Sequence, residues 1–442
     1  MGKKCSCGLL IPAQSYNKGE EKHMIGINTV SSQSGRAYFA DYMKNGYQMI
    51  GYARRSVHGT AFFEAVKKAG GIYLDRPQNM NQESKIFLPM GDSRITQDLE
   101  EFIAESEMII LAEPSNFFVE SVEKMVEAGL LKYRIPLVLS PSRTFSSPYL
   151  WKALGEGYPI ACFSTCAYSC KAPAPDVAYI KRRKRNWVVS LEGDFSKKQI
   201  AFLQELFPQA VINHVPATTS LGNVGAVFHP ATYLLNYEEI QRRKKSGELF
   251  SFYMDGIAAR PEVGEILDAI DQMRLKIAAG LGYSVFGLKD NPQEERWAEL
   301  INNMRLKEKP GEDVKELRHI RRDSLHVLND SITSCEHWLD YTYGVKRIQG
   351  ESMHKAIGRT PTYQKNSVPQ QRYVEEDIPT GLLPLRNLAA RLHIDTSAAD
   401  HVLDLYYKYY DSEKTVGVRT LEEFSNEYIK DYLAGKFFKL TD

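Results

Sequence analysis

Long apolar runs are missing from this sequence. Although 43% of its 442 residues are hydrophobic, no stretch approaches the ~18–20 consecutive apolar residues that a membrane span needs, so the chain reads as soluble, with no membrane partner. A surplus of charge of either sign is missing too. The 56 Lys and Arg stand against 55 Asp and Glu, a formal charge of +1, and so weak a global field recruits neither nucleic acid nor an anionic surface. A small-molecule partner is expected. Cysteine is scarce: six residues (Cys5, Cys7, Cys162, Cys166, Cys170 and Cys335) in a chain of this length make no disulfide framework and fit a reducing, cytoplasmic compartment. Cys162, Cys166 and Cys170 lie four apart, yet no His joins them, so no metal site is expected there. ACFSTCAYSC reads instead as buried strand or turn.

What is present is an alternation of element types. Residues 1–21 form a polar leader, whose opening MGKKCS also satisfies the short Gly2/Ser6 acylation pattern. After it, KHMIGINTV is apolar, SSQSG breaks it, RAYFADYMKNG has helical spacing and YQMIGYARRS is apolar again, which makes a βαβ unit. GTAFFEAVKKAGG predicts a further helix, SEMIILAEP and IPLVLSP predict strands, and FFVESVEKMVEAGLLK predicts a helix between them. Strands separated by helices argue a Rossmann-like, doubly wound parallel sheet. NWVVSLEG and QAVINHVP close this domain, giving it residues 22–218. Over 219–442 helical patterns such as RPEVGEILDAIDQMRLKIAAGLG and AADHVLDLYYKYY dominate, so the second domain should be mostly α-helical. The basic run KRRKR (181–185) is expected to be a solvated loop.

Glycine is missing where a dinucleotide fold needs it most. The fingerprint sets glycines at fixed offsets so that backbone can approach a pyrophosphate at a helix N-terminus. One register places Gly26, Asn28 and Ser31 at those positions and the other places Val30, Ser32 and Gly35. Neither is complete. Asn28, Thr29, Ser31, Ser32, Gln33, Ser34 and Gly35 remain a candidate phosphate loop, because serine offers amide and hydroxyl donors. The second strand ends in YARRS. An acidic residue there holds the ribose of NAD, whereas arginine accommodates the 2′-phosphate of NADP, so Arg54 and Arg55 point to NADP(H) in preference to NAD(H).

The stretch GNVGAVFHPATYLLN (222–236) holds His229 among apolar neighbours, with Pro230 directly after it. A buried imidazole without a polar partner is costly; it is either a hydrogen-bonded core residue or a proton-transfer group facing a cleft. This stretch, together with RYVEEDIPTGLLPLRNLAARLHIDTSAADHVLDL (372–405) and VGVRTLEE, resembles the octopine/nopaline (opine) dehydrogenase family. The ARRSV, FFEAV and CFST stretches are more similar to its opine-metallophore branch, and the second domain to its carboxyethyl-norvaline dehydrogenase branch. The resemblance implies reductive condensation of an amino acid, or an amino-acid-derived metallophore precursor, with a 2-keto acid such as pyruvate. It also implies that His229 and Asp377 are the acid/base pair, that Arg372 holds a substrate carboxylate, and that Asn223 shapes the cleft as substrate contact or helix cap. Without it, Glu375, Glu376 and Asp377 would read as surface charges. A mostly α second domain also offers faces for a homodimer.

Overall fold

The computed structural model describes residues 24–77, 84–184, 187–290, 297, 299, 331–343, 351–360 and 372–442; the leader lies outside them. The strands that matter for the site are β1 (Met24–Asn28), β2 (Gln48–Tyr52), β3 (Gly71–Asp75), β4 (Lys85–Pro89), β5 (Arg94–Thr96) and β6 (Met108–Leu111). They continue with β7 (Leu137–Leu139), β8 (Ile160–Phe163), β9 (Tyr168–Lys171), β10 (Val177–Arg183), β11 (Trp187–Glu192), β12 (Asp194–Ser196) and β13 (Ala210–Asn213). The main sheet has eight strands in the order β13-β11-β8-β7-β6-β1-β2-β5. Its pairings from β5 to β8 are parallel, and β1, β6, β7, β8 and β11 are apolar enough to be covered on both faces. The α/β Rossmann-like fold is therefore present.

Two features depart from a purely parallel sheet. β11 runs antiparallel to β8, and β13 then pairs parallel with β11, so the closing segments join the sheet after a reversal. A second sheet, β4-β3-β10-β9, stands beside the first; the basic run expected as a loop lies partly in β10, whose Lys181, Arg182 and Arg183 are exposed. Its strands alternate or mix exposed and buried positions, a weaker signal than the apolar strands of the main sheet.

The helix α1 (Gln33–Lys44) follows β1, and α2 (Val57–Ala69) follows β2. Helices dominate after β13, including Gly225–Leu235, Pro261–Gly280, Leu383–Arg391 and Ser397–Tyr409. The chain then returns, and its last strand, Lys439–Thr441, pairs with β12. One continuous buried cluster runs from Ile109, Leu111 and Leu139 in the main sheet to Val227, Leu267 and Leu385 in the helices. The two parts share a core, which lets residues far apart in sequence be held rigidly together.

Candidate active site

The helix Gly225–Leu235 buries Ala226, Val227, Phe228, Ala231 and Leu234 and carries Pro230 inside it. Proline here withholds only the amide that would bond to the Ala226 carbonyl, and the helix runs on to Leu235. His229 is partly exposed on this largely buried helix: its side chain is 26% exposed, and Nδ1 lies 2.6 Å from Asp377 Oδ2. The ring stacks on Tyr373 with centroids 4.3 Å apart and meets the edge of Phe252 at 5.7 Å. With Nδ1 donating to the carboxylate, Nε2 is the nitrogen left to exchange a proton.

Asp377 closes the short helix Arg372–Asp377 and its side chain is fully buried. Its other oxygen, Oδ1, lies 3.1 Å from Arg143 Nη1. Arg143 Nε in turn donates to Glu376 Oε1 at 3.0 Å, and that oxygen also accepts from the Ser115 amide and hydroxyl at 3.1 and 3.2 Å. Burial pulls the Arg143 pKa down, but the adjoining Asp377 and Glu376 carboxylates overcome it and hold the guanidinium above its ordinary range. Glu375 is exposed, as a surface charge would be, whereas Glu376 and Asp377 are buried. The surface reading of those two fails because their partners come from the loops after β6 and β7, which residue spacing cannot show.

Asn223 is buried, and both ends of its amide are used. Oδ1 accepts from the Ala226 amide at 3.4 Å, while Nδ2 donates to Thr144 Oγ1 at 3.2 Å. Asn223, one residue before the N-cap Val224, thus ties the start of the His229 helix to the loop after β7. The side chain of Arg372 lies outside the described residues, although its backbone begins the helix that ends in Asp377.

The second part of the site is the crevice where strand order reverses, between β1 and β6, the place at which open α/β sheets take ligands. Thr29 follows β1 with φ of 56°, and Ser32 caps α1 by accepting from the Gly35 amide at 2.9 Å. A Cβ on Gly35 would stand 2.5 Å from the Thr29 carbonyl oxygen. Gly35 thus fills the close-packing position of the fingerprint, which favours the register Val30, Ser32, Gly35 over Gly26, Asn28, Ser31. No acidic residue lies in the first turn of α1, so its amides and dipole suit a phosphate. This backbone fits a dinucleotide.

The side chains fit it less simply. The Ser32 and Ser34 hydroxyls donate to the Ala112 carbonyl at 2.7 and 2.8 Å, and Ser31 is buried with its carbonyl accepting from Arg36 and His58. The Ser32 and Ser34 hydroxyls and the Val30, Ser32 and Gly35 amides are therefore spent on holding the loop, which leaves the turn's other backbone amides for the ligand, with Gln33 opening the helix. Asn28 and Thr29 donate to the two carboxylate oxygens of Glu113, at 3.0 and 2.9 Å. Arg54 donates to the same carboxylate and to Ser121 Oγ, while Arg55 is exposed. Burial raises the Glu113 pKa above the usual carboxylate range, against the opposing pull of Arg54.

Spacing identified neither Arg143 nor Glu113. Both nevertheless follow the carboxyl ends of parallel strands, where sites in such sheets assemble, and a charged residue in SPSRTF or LAEPS could have been flagged on that ground.

A dinucleotide-type loop at the β1/β6 crossover and a carboxylate-oriented histidine are together what an NAD(P)-dependent oxidoreductase needs. Comparison with known proteins narrows this. Residues 213–309 and 311–410 match the family model described as NAD/NADP octopine/nopaline dehydrogenase, alpha-helical domain. An opine dehydrogenase of Arthrobacter sp. (strain 1C) is 24% identical over 351 residues, covering 74% of this chain and 78% of that protein. Octopine dehydrogenase solved with NADH and L-arginine shares the fold with a TM-score of 0.63 at 15% identity, over 93% of this chain and 98% of that one. Yersinopine dehydrogenase with NADP+ bound gives 0.55 at 15% identity, over 93% and 94%. The helical part of this chain thus matches the model of the octopine/nopaline dehydrogenase alpha-helical domain, and the whole chain shares the fold of the solved octopine and yersinopine dehydrogenases.

Proposed function

We propose that the protein is an opine dehydrogenase that joins the amine of an amino acid, or of a larger amino-acid-derived metallophore precursor, to a 2-keto acid such as pyruvate. The observation that carries this is the 2.6 Å pair of the partly exposed His229 with the buried Asp377, itself braced by Arg143.

Condensation needs one group that both takes and gives a proton near neutral pH. His229 Nε2 takes the proton as the amine attacks the keto carbon and returns one to the departing hydroxyl, so that water leaves and a C=N bond forms. Asp377 orients the ring and stabilises the imidazolium. Arg143 acts as a positioning residue: its cation keeps Asp377 an acceptor rather than an acid. The loop of Asn28, Thr29, Ser31, Ser32, Gln33, Ser34 and Gly35 would hold a reduced nicotinamide dinucleotide, which would supply the hydride that reduction of the C=N bond to the secondary amine requires. Arg372 is proposed to hold a substrate carboxylate, a task that suits a guanidinium's paired donors. Asn28–Gly35 and the Arg54/Arg55 pair are proposed as the cofactor contacts, with residues 22–218 and 219–442 as the two functional units.

The test is oxidation of NADPH or NADH with pyruvate and a panel of amino acids. Dependence on the amine is expected. Oxidation at the same rate without any amine would mark a hydroxy-acid dehydrogenase acting on C–O bonds and would sink this reading.

A further inference from the structure

YARRS alone suggests two free cations awaiting a 2′-phosphate. The structure places an anion among them. Glu113, from the loop after β6, is 4% exposed and receives Asn28 and Thr29 from the end of β1 and Arg54 from beyond the end of β2. Arg54 is additionally fixed by Ser121 Oγ. The charges of Arg54 and Glu113 cancel. Glu120, more than half exposed at the side-chain level and paired with Lys124, adds a further weak negative field, and His58 is turned to the Ser31 carbonyl. Arg55 is the exposed cation of this corner.

We propose, on the reading that this crevice holds a nicotinamide dinucleotide, that Glu113 is a residue determining cofactor specificity and that it removes the NADPH preference YARRS would otherwise give. A 2′-phosphate brought to Arg54 must either sit beside the Glu113 carboxylate or draw the guanidinium away and strand that carboxylate in a buried place, and both are unfavourable. A ribose 2′-hydroxyl has the opposite need. It requires an acceptor, and NAD enzymes supply a carboxylate from the end of the second strand. This chain has arginine there, and Glu113 brings the carboxylate from the loop after β6, on the other side of β1.

Titrations of NADH and NADPH fluorescence with the intact chain test this without turnover. The unmodified protein should bind NADH at least as tightly as NADPH. Glu113→Gln keeps the shape and removes the charge, and should move the affinity ratio toward NADPH by about 10-fold, the scale of one charge-assisted contact. If Glu113→Gln binds both cofactors with an unchanged ratio, or the unmodified protein binds NADPH about 10-fold or more tightly than NADH, the inference fails while the dinucleotide reading stands. If neither cofactor binds the unmodified protein or Glu113→Gln at millimolar concentration, the dinucleotide reading fails and takes this one with it. Binding of NADPH that appears only in Glu113→Gln supports it.

Discussion

A histidine in an apolar helix is tolerable only because of what its ring touches. His229 has Asp377 on Nδ1 and Tyr373 against its face, so the cost of partial burial is met by a charge-assisted hydrogen bond. His229→Ala should lower turnover by roughly 10²–10⁴-fold, the usual range for general acid–base catalysis, and leave dinucleotide fluorescence titration unchanged. An unimpaired variant would make the histidine a core residue. Arg143 works through Asp377 rather than on substrate. Arg143→Gln should therefore shift the pH–rate profile as well as lower kcat, while Arg143→Lys, which keeps the cation, should restore part of both; a loss of stability with an unshifted profile in the folded fraction would assign it a packing role only.

The β1–α1 connection shows how a departure from a familiar motif can be structural compensation. Glycine would let ligand approach backbone at Val30 and Ser32, yet only Gly35 has been kept, and it is the position where added bulk meets main chain: a Cβ there falls 2.5 Å from the Thr29 carbonyl oxygen and 2.9 Å from Val30 Cα. Backbone cannot yield as a side-chain tip can. Gly35→Ala should cost about 1–3 kcal/mol in urea unfolding, the range for overpacking, and weaken dinucleotide binding with it. A neutral result would mean that α1 shifts freely on β1. The sequence showed this unit well, because β1, α1, β2, β6 and β7 carry strong periodicity bounded by Gly, Ser and Pro. It did not show β3, β4 and β10, whose residues answer to a neighbouring sheet rather than to a two-residue alternation, and it read the stretch holding β9 only as strand or turn. The candidate site was legible where the family resemblance supplied a motif, His229 and Asp377. It was illegible where tertiary contact alone decides, as with Arg143, separated by 233 residues from Glu376, and Glu113.

At the scale of the whole molecule, buried polar groups tie the helical part and the chain's C-terminus to the sheet. Arg419 is 2% exposed and donates to the carbonyls of Ser142, Thr144 and Ser115, all in loops that also build the site; burial pulls its pKa down to about 10. Arg419→Met would take from the Thr144 carbonyl its guanidinium donor, at about 1–3 kcal/mol if it stays dry, while Ser142 and Ser115 keep the Ser146 hydroxyl and the Phe118 amide; it should lower the melting temperature and kcat together. A lower melting temperature with unchanged kcat would show that the loops hold their geometry without it. Glu192 makes a second tie, accepting from Ser190 Oγ in β11 and from Tyr432 OH in the helix Asn426–Leu433. Burial raises its pKa, with hydrogen bonds from Ser147, Ser190 and Tyr432 pulling the other way. A carboxyl whose folded pKa is raised binds its proton more readily folded than unfolded, so its contribution to stability is complete below the ordinary carboxylate range and is lost as pH rises through the raised value. Glu192→Gln keeps an acceptor for Tyr432 and cannot ionise. Melting curves should therefore show the unmodified protein losing stability relative to Glu192→Gln as pH climbs from about 4 upward, a difference that flattens once both forms of the wild-type carboxyl are ionised. A difference that is the same at every pH would mean Glu192 ionises in the fold as easily as in water, and its burial would then carry no pH signal.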